Sequence, residues 1–244
     1  MGEYIHNHNR SVISREDLWD LMKQLHPDLS KESMDWFVYN CQEQHIFKRI
    51  GRNMYTLAGS ELDKERYEPE YSELSAKAID LLEMKRPISS YQLWDSRMLE
   101  EFLPSGAGFP HLVFAEVSKE QMEPAFEHLR RNLDCNVWLK PAHQYFNKYL
   151  EGETVVVLPL SSESPRHRDD PHKVRLEKIL VDLFANKLLL GLLEEEERQA
   201  FYEAAFQLYL IDESTLFRYA RRRNKEKVIR KFIKEKTTIT LLGE

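Results

Sequence analysis

Basic and hydrogen-bonding side chains near the start of the chain have the chemistry needed to contact a nucleic acid. Residues 48–53 read KRIGRN, so a lysine and two arginines surround a glycine that can form a turn. Guanidinium and ammonium groups bind backbone phosphates, and polar side chains on a helix can read base edges in the major groove. The residues that we predict to contact DNA are Lys31, Glu32, Ser33, Trp36, Lys48, Arg49, Arg52 and Asn53.

A helix followed by a hairpin would position these residues. Apolar side chains recur at helical spacing between residues 30 and 44, and Ser30 can cap the start of that helix. The pattern then changes, and Phe47 with Arg49 and Tyr55 with Leu57 fit two short alternating strands joined by a turn at 51–53. An earlier helix begins at Ser14 and ends at Pro27, so the order predicts a winged helix-turn-helix.

A second concentration of positive charge lies near the end of the chain. Residues 218–236 contain ten Lys or Arg and two Glu, although the whole chain has a net charge of -6. This asymmetry has two interpretations. The segment is a basic surface that binds phosphate or an acidic partner, or it is the solvated face of an amphipathic terminal helix. The residues that we assign to this basic C-terminal surface are Arg218, Arg221, Arg222, Arg223, Lys225 and Lys227.

Carboxylates near predicted strand ends are the main candidates for catalysis. Asp95 follows one predicted strand and Glu116 lies within the next, and such a pair can hold Mg²⁺. The Glu-x-Lys pattern of nucleases is displaced by one residue in Glu116-Val117-Ser118-Lys119, and no P-loop or nucleophile elbow occurs. We therefore predict that Glu116 is a partly buried acid paired with a base. No catalytic residue, metal site, cofactor or enzymatic activity is expected.

Composition indicates an ordinary folded protein with room for one large domain or two to three small ones. The 244 residues are 42% hydrophobic, and the two cysteines, Cys41 and Cys135, lie in separate apolar segments. Buried free thiols in a reducing cytosol are expected rather than a disulfide or zinc site. The apolar run at 188–193 is too short to cross a bilayer, so we expect a soluble, cytoplasmic protein without a membrane partner.

The periodicities predict an α+β protein. Residues 1–60 form the winged helix-turn-helix domain, and the charged residues 61–73 are a linker. Strands and helices then alternate over 74–165, which predicts an α/β domain with a small mixed sheet. Residues 166–244 are predicted to be a helical C-terminal part packed on the sheet domain, beginning with one long helix over 174–192.

The sequence resembles the AbiEi-type antitoxins of bacterial type IV toxin–antitoxin systems, which act in abortive infection. The resemblance rests on IFKRIGRNMY within residues 30–57, and on LEKILVDLFANK (176–187) and FRYARRRN (217–224). Asn53 stands where that family usually has Gly, and Asn also tolerates the positive φ of a turn. The resemblance implies a transcription regulator whose winged helix binds double-stranded operator DNA and represses its own operon. It also implies that the C-terminal domain counters a nucleotidyltransferase-like toxin, without a tight complex.

Two other functions stay open at this point. Residues 14–55 hold six Lys or Arg and seven Asp or Glu, whereas a strong non-specific DNA binder is more basic. Winged helices also act as protein–protein modules, so one alternative is an interaction module that does not bind DNA. The other is a Mg²⁺-dependent nuclease or nucleotidyltransferase-like enzyme that uses Asp95 and Glu116.

Overall fold

The chain forms two compact units in a computed structural model that describes residues 12–84, 90–103, 110–167 and 169–242. The first unit contains residues 12–66, 208–214 and 240–242, and the second contains the described residues of 67–207 and 215–239. Both units combine helices with a small sheet, so the α+β class predicted from the sequence is confirmed. Residues 1–11 of the predicted first domain lie outside the described part of the chain.

Two helices and a three-stranded antiparallel sheet build the first unit. Strand β1 (Ile13–Ser14) leads directly into helix α1 (Arg15–Leu25). Helix α2 (Lys31–Glu43) is followed by strand β2 (Phe47–Gly51) and strand β3 (Met54–Leu57), and the strand order is β1-β3-β2. The helix and hairpin predicted between residues 30 and 57 are therefore confirmed as elements.

Short-range hydrogen bonds fix the ends of these elements. Ser14 Oγ accepts a bond from the Asp17 N–H at 3.0 Å, and the Asp17 carboxylate accepts one from the Ser14 N–H at 2.9 Å. Ser30 Oγ accepts a bond from the Ser33 N–H at 3.2 Å. Such caps satisfy N–H groups that have no partner inside the helix. In the hairpin turn Asn53 has a φ of 58°, which confirms the positive φ expected there.

The apolar sides of the two helices and the sheet meet in one core. Residues on one side of α1 and one side of α2 are buried, and the polar side chains point to solvent. This arrangement leaves the other side of α2 available for an interaction. The buried members of the core are Ile13, Leu18, Met22, Met34, Val38, Cys41, Phe47 and Tyr55.

A four-stranded mixed sheet organises the second unit. Strand β4 (Tyr91–Asp95) is antiparallel to β5 (Leu112–Val117). Strand β7 (Thr154–Pro159) lies between β5 and β6 (Asn136–Leu139) and is parallel to both, so the order is β4-β5-β7-β6. The small mixed sheet predicted from this part of the sequence is confirmed.

Helices cover both faces of this sheet. Helix α3 (Glu73–Glu83) and helix α4 (Met122–Asn132) pack on one face, in a core that includes Val113 and Val155. Because side chains alternate along a strand, Glu116 points to the opposite face. There it contacts Lys178 of the helix Leu176–Ala185, called α6.

The remaining elements of the described chain are helices. The single helix predicted over 174–192 is wrong, because α6 ends at Ala185 and Asn186 starts a new helix. The Asn186 Oδ1 accepts a bond from the Leu188 N–H at 3.0 Å, so Asn186 acts as an N-cap. Within the described residues, no helix is long and apolar enough to cross a membrane. The elements are α5 (His143–Tyr149), α6 (Leu176–Ala185), α7 (Lys187–Leu190), α8 (Glu195–Leu208), α9 (Glu213–Arg222), α10 (Glu226–Lys236) and 3-10 segments Ser96–Phe102 and Lys119–Gln121.

Candidate functional site

The outer side of helix α2 carries the first group of residues predicted to contact DNA. Lys31, Glu32 and Ser33 are exposed in its first turn, and Trp36 is 66% exposed in the next. Tyr39 is 60% exposed and lies three residues further, so the two aromatic rings occupy the same side of the helix. Hydrogen bonds from the backbone and from Ser30 lower the pKa of Glu32. This helix side thus offers donors, two aromatic rings and an acid.

The hairpin carries the second group, and its basic residues are not equivalent. Arg49 and Arg52 are exposed, and the Arg49 Nε donates to the Gly51 carbonyl at 3.1 Å. Lys48 instead lies between two carboxylates, with its Nζ 3.0 Å from Asp63 Oδ1 and 2.9 Å from Glu65 Oε1. The charge of Lys48 is therefore compensated within the first unit, whereas the two arginines present theirs to solvent.

Arg15, which is not among the residues predicted from the sequence, connects the hairpin and both helices. Its backbone N–H donates to the Asn53 carbonyl at 2.8 Å, and its guanidinium forms an ion pair with Asp35 of α2. The ion pair also compensates one of the negative charges on the exposed side of α2. No local sequence signal identifies this pair, because the two side chains come from different helices.

The basic C-terminal residues lie on α9 and α10, which are joined by a turn in which Asn224 has a φ of 56°. Arg218, Arg222 and Lys227 are exposed. Arg221 is also exposed, but its guanidinium forms two bonds with the Glu226 carboxylate, at 2.8 and 3.0 Å. Lys225, the residue before α10, is half-buried.

Arg223 does not belong to this exposed surface, contrary to the prediction from the sequence. Its Nη1 donates to Asp182 Oδ1 and to Tyr219 Oη, both at 2.7 Å, and most of its side chain is covered. Both partners are buried, so Arg223 points into the second unit. The three consecutive arginines at 221–223 are therefore divided between the surface and the interior.

A buried ion network lies on the face of the sheet opposite α3 and α4. Lys178 is fully buried, and its ammonium contacts the Glu116 carboxylate and, at 2.5 Å, Asp182 Oδ2. Arg223 supplies a second cation, so two positive and two negative groups balance. Burial disfavours the charged form of Lys178, but the Asp182 and Glu116 carboxylates more than offset it and raise its pKa. The predicted pairing of Glu116 with a base is confirmed, but Glu116 is fully and not partly buried.

The geometry of Asp95 and Glu116 excludes a shared metal ion. Asp95 pairs with Val113 across the sheet, on the face covered by α3, whereas Glu116 pairs with Gln92 and points to the other face. The Asp95 carboxylate accepts bonds from the Ser75 Oγ at 2.6 Å and the Arg97 N–H at 2.9 Å. The Mg²⁺ site considered for these two residues is therefore corrected to two separate structural roles.

A serine, a histidine and a carboxylate form a hydrogen-bonded chain beside the start of α3. His111 Nε2 lies 3.2 Å from Ser72 Oγ, and His111 Nδ1 lies 2.8 Å from Glu153 Oε1. These are the residue types of a nucleophilic triad, but a triad carboxylate is buried, and Glu153 is 54% exposed. Ser72 Oγ also accepts a bond from the Ser75 N–H at 3.2 Å. We assign Ser72 as the N-cap of α3, supported by His111.

Neither thiols nor metal ligands form a site in the described part of the chain. Cys41 is a buried free thiol, as predicted, and Cys135 is a half-buried one. Burial raises the pKa of both thiols, so neither is activated as a thiolate. Among the described residues, no group of three or more His, Cys, Asp or Glu side chains is arranged to hold a metal ion.

Comparison with known proteins gives one match. The model of a family of unknown function (DUF6577) matches residues 33–239. No curated protein and no solved structure matches the chain. The matched range runs from the first turn of α2 to the end of α10 and beyond, so it includes both the hairpin arginines and the basic residues of α9 and α10.

Proposed function

The chain belongs to this family of unknown function, and we propose that it binds double-stranded DNA through a winged helix-turn-helix in its first unit. The observation that carries the proposal is the element order β1-α1-α2-β2-β3 with β3 at the centre of the sheet. In a winged helix, the second helix of such a unit enters the major groove and the hairpin forms the wing. Here that helix is α2, and the hairpin is the one that exposes Arg49 and Arg52.

The side chains on α2 and the hairpin suit these two roles. Lys31 and Ser33 offer hydrogen-bond donors at the N-terminal end of α2, where base-edge contacts are made in helix-turn-helix proteins. The positive end of the helix dipole points the same way and favours a nearby phosphate. Arg49 and Arg52 can each contact the backbone or the minor groove. The α2 residues would then recognise the base sequence, and the hairpin would fix the position of the protein along the duplex.

The charge of the first unit supports selective rather than strong non-specific binding. Lys48 is compensated by Asp63 and Glu65, and Arg15 is compensated by Asp35. If Arg49 and Arg52 are the main phosphate contacts, log Kobs should fall with log salt concentration with a slope of roughly −2, since each neutralised phosphate contributes about −0.9. Such a small electrostatic contribution requires base contacts for useful affinity.

The physiological role that we propose follows the AbiEi-type resemblance. The protein would be a transcription regulator that binds the operator of its own operon, and its second unit would counter a nucleotidyltransferase-like toxin. The support is the KRIGRN hairpin sequence with Asn53 at positive φ, together with the Leu176–Ala185 and Glu213–Arg222 helices that hold the C-terminal similarity. A neighbouring toxin gene that the regulator controls would be the expected genetic context.

A second candidate function is protein recognition by the same helix side. Trp36 and Tyr39 are exposed, and exposed Trp and Tyr are typical energetic centres of protein interfaces. The acidic residues Glu32 and Glu43 on α2 also fit a basic protein partner better than DNA. This candidate predicts a partner that copurifies with the chain after nuclease treatment.

A binding titration separates the two candidates. The full chain is titrated against labelled duplex DNA from upstream of its own gene and against a shuffled duplex, at low salt. We expect tighter binding to the upstream duplex, and a roughly tenfold or greater loss for the double variant Arg49→Ala/Arg52→Ala, which removes two phosphate contacts. The control is Lys48→Ala/Glu65→Gln, which removes one charge of each sign beside the hairpin and should bind almost normally. No preference for the upstream duplex, with folded protein, would refute the proposal.

A further inference from the structure

The exposed sides of α9 and α10 carry a row of cations that the winged-helix proposal does not use. Arg218 and Arg222 lie four residues apart on α9, and Lys227, Lys231 and Lys234 lie at positions i, i+4 and i+7 on α10. At these spacings the side chains of each helix fall on one side of it. All five residues are exposed, and we call them the α9–α10 basic face.

Ion pairs around this face leave most of its charge uncompensated. Glu226 is occupied by Arg221 and by Arg230, whose Nε lies 3.3 Å from Glu226 Oε1. Glu235 lies 3.8 Å from the Lys231 ammonium, which is a weak contact at an exposed position. In the described chain no acidic side chain forms an ion pair with the other four members of the face, which are Arg218, Arg222, Lys227 and Lys234.

The apolar sides of both helices are already used in packing. Phe217 and Tyr219 of α9 and Ile229, Phe232 and Ile233 of α10 are buried. A membrane-bound amphipathic helix needs its apolar side free to enter the lipid, so a lipid surface does not fit this pair. The Arg230 guanidinium lies 3.6 Å from the centre of the Phe217 ring and links the two helices. The cations therefore lie on the solvent side of two helices whose apolar sides are buried in the second unit.

The spacing and chemistry of the face favour a nucleic-acid backbone over an acidic protein. Lys227 and Lys234 are separated by about 10 Å along the helix axis, at about 1.5 Å per residue. Phosphates of one DNA strand recur about every 3.4 Å along the duplex axis, so the row faces roughly three of them. Protein interfaces are centred on Trp, Tyr and Arg in apolar pockets, whereas the one large apolar side chain exposed on the described part of these helices is Val228.

We propose that the α9–α10 basic face is a second, sequence-independent contact surface for the phosphate backbone of double-stranded DNA. This inference rests on the proposed function in one respect, which is that both take double-stranded DNA as the ligand. The residues are different, because the α9–α10 basic face belongs to the second unit. The face supplies the electrostatic attraction that the first unit lacks, because the described residues of that unit hold eight Lys or Arg and twelve Asp or Glu. The hairpin and α2 supply selection. The 244-residue chain should therefore bind DNA of any sequence with a salt dependence that comes mostly from α9 and α10.

The test measures the salt dependence of binding to a random duplex with the full chain. The variant Lys227→Ala/Lys231→Ala/Lys234→Ala should reduce the magnitude of the salt slope by about two to three and weaken binding at low salt by at least tenfold. The control variant Lys119→Ala/Arg130→Ala/Lys187→Ala removes the same charge from exposed positions elsewhere in the same unit, and should bind like the original protein. Unchanged circular dichroism and melting temperature establish that the variants are folded.

A second variant tests the face by gain of binding. Glu226→Gln releases Arg221 and Arg230, so it should raise the salt slope by about one and tighten binding several-fold. Equal slopes for the triple variant and the original protein would overturn the proposal, as would tighter binding to polyglutamate than to DNA of matched charge. A lost preference for upstream DNA with an intact slope would instead refute the winged-helix proposal alone, so the two failures are distinguishable.

Discussion

Lys178 of α6 and Glu116 of β5 form a buried ion pair between residues that lie 62 positions apart in the sequence. The pair joins a helix to the sheet on the face that α3 and α4 leave open, and Asp182 and Arg223 complete a balanced set of charges. Buried charges are tolerated only when they are paired and hydrogen-bonded. Glu116 is therefore part of the support of the second unit and not a ligand for a metal ion.

Removing the cation of this pair should be strongly destabilising. Lys178→Met leaves Glu116 and Asp182 with one cation between them, so the free energy of unfolding should fall by about 3–5 kcal/mol. Glu116→Gln/Lys178→Met removes one charge of each sign and should cost less than Lys178→Met alone. Urea unfolding gives the free energy of unfolding of the original protein and of both variants. A double variant that is less stable than Lys178→Met would contradict the paired role.

Arg15 should influence DNA binding without touching DNA. In Arg15→Ala the Asp35 carboxylate loses its partner and adds uncompensated negative charge to the outer side of α2, so DNA affinity should fall a few-fold. Arg15→Ala/Asp35→Asn removes both charges and should bind more tightly than Arg15→Ala. Fluorescence anisotropy measures the affinity of the original protein and of both variants for the upstream duplex. Equal affinities for the single and double variants would rule out the electrostatic explanation.

Ser72 is expected to act as a helix cap and not as a nucleophile. Ser72→Ala should lower the free energy of unfolding by about 1 kcal/mol, because the Ser75 N–H loses its acceptor. Ser72→Asn keeps an acceptor and should retain most of the stability. Treatment of the original protein with a fluorophosphonate, followed by mass spectrometry, should leave Ser72 unmodified. Stoichiometric labelling at Ser72 that His111→Ala abolishes would show a reactive serine.

The stability of the first unit should depend on pH through Asp63. A bond from the Gly59 N–H at 2.8 Å, together with Lys48, lowers the pKa of Asp63 below its ordinary value. Because the folded pKa is the lower one, the contribution of Asp63 is present above the unfolded pKa of about 3.9 and is lost as pH falls through the folded value. Asp63→Asn should thus be less stable than the original at pH 7 and equally stable in stronger acid. Melting temperatures of the original protein and of Asp63→Asn, measured at pH 7 and in stronger acid, check this. The same difference in melting temperature under both conditions would contradict it.

The sequence by itself determined the local elements of this protein. Ser14 and Ser30 were recognisable caps, Asn53 was a recognisable turn residue, and apolar periodicity gave the helices and the small mixed sheet. These features depend on contacts between residues that are close in sequence, so they can be read without a structure. The break at Asn186 was missed because a helical apolar pattern continues through it, although Asn is a common cap.

Only the tertiary structure decided which charged residues are available for binding. Lys48 is compensated by Glu65, 17 residues away, and Arg223 is turned inward by Asp182, 41 residues away. The separation of Asp95 and Glu116 onto opposite faces depends on the register of β4 and β5. Composition counts a charge but does not locate its partner, because the partner is brought close by packing of distant segments. For that reason seven of the eight residues predicted to contact DNA are exposed, whereas the eighth, Lys48, is partly covered and compensated by Asp63 and Glu65.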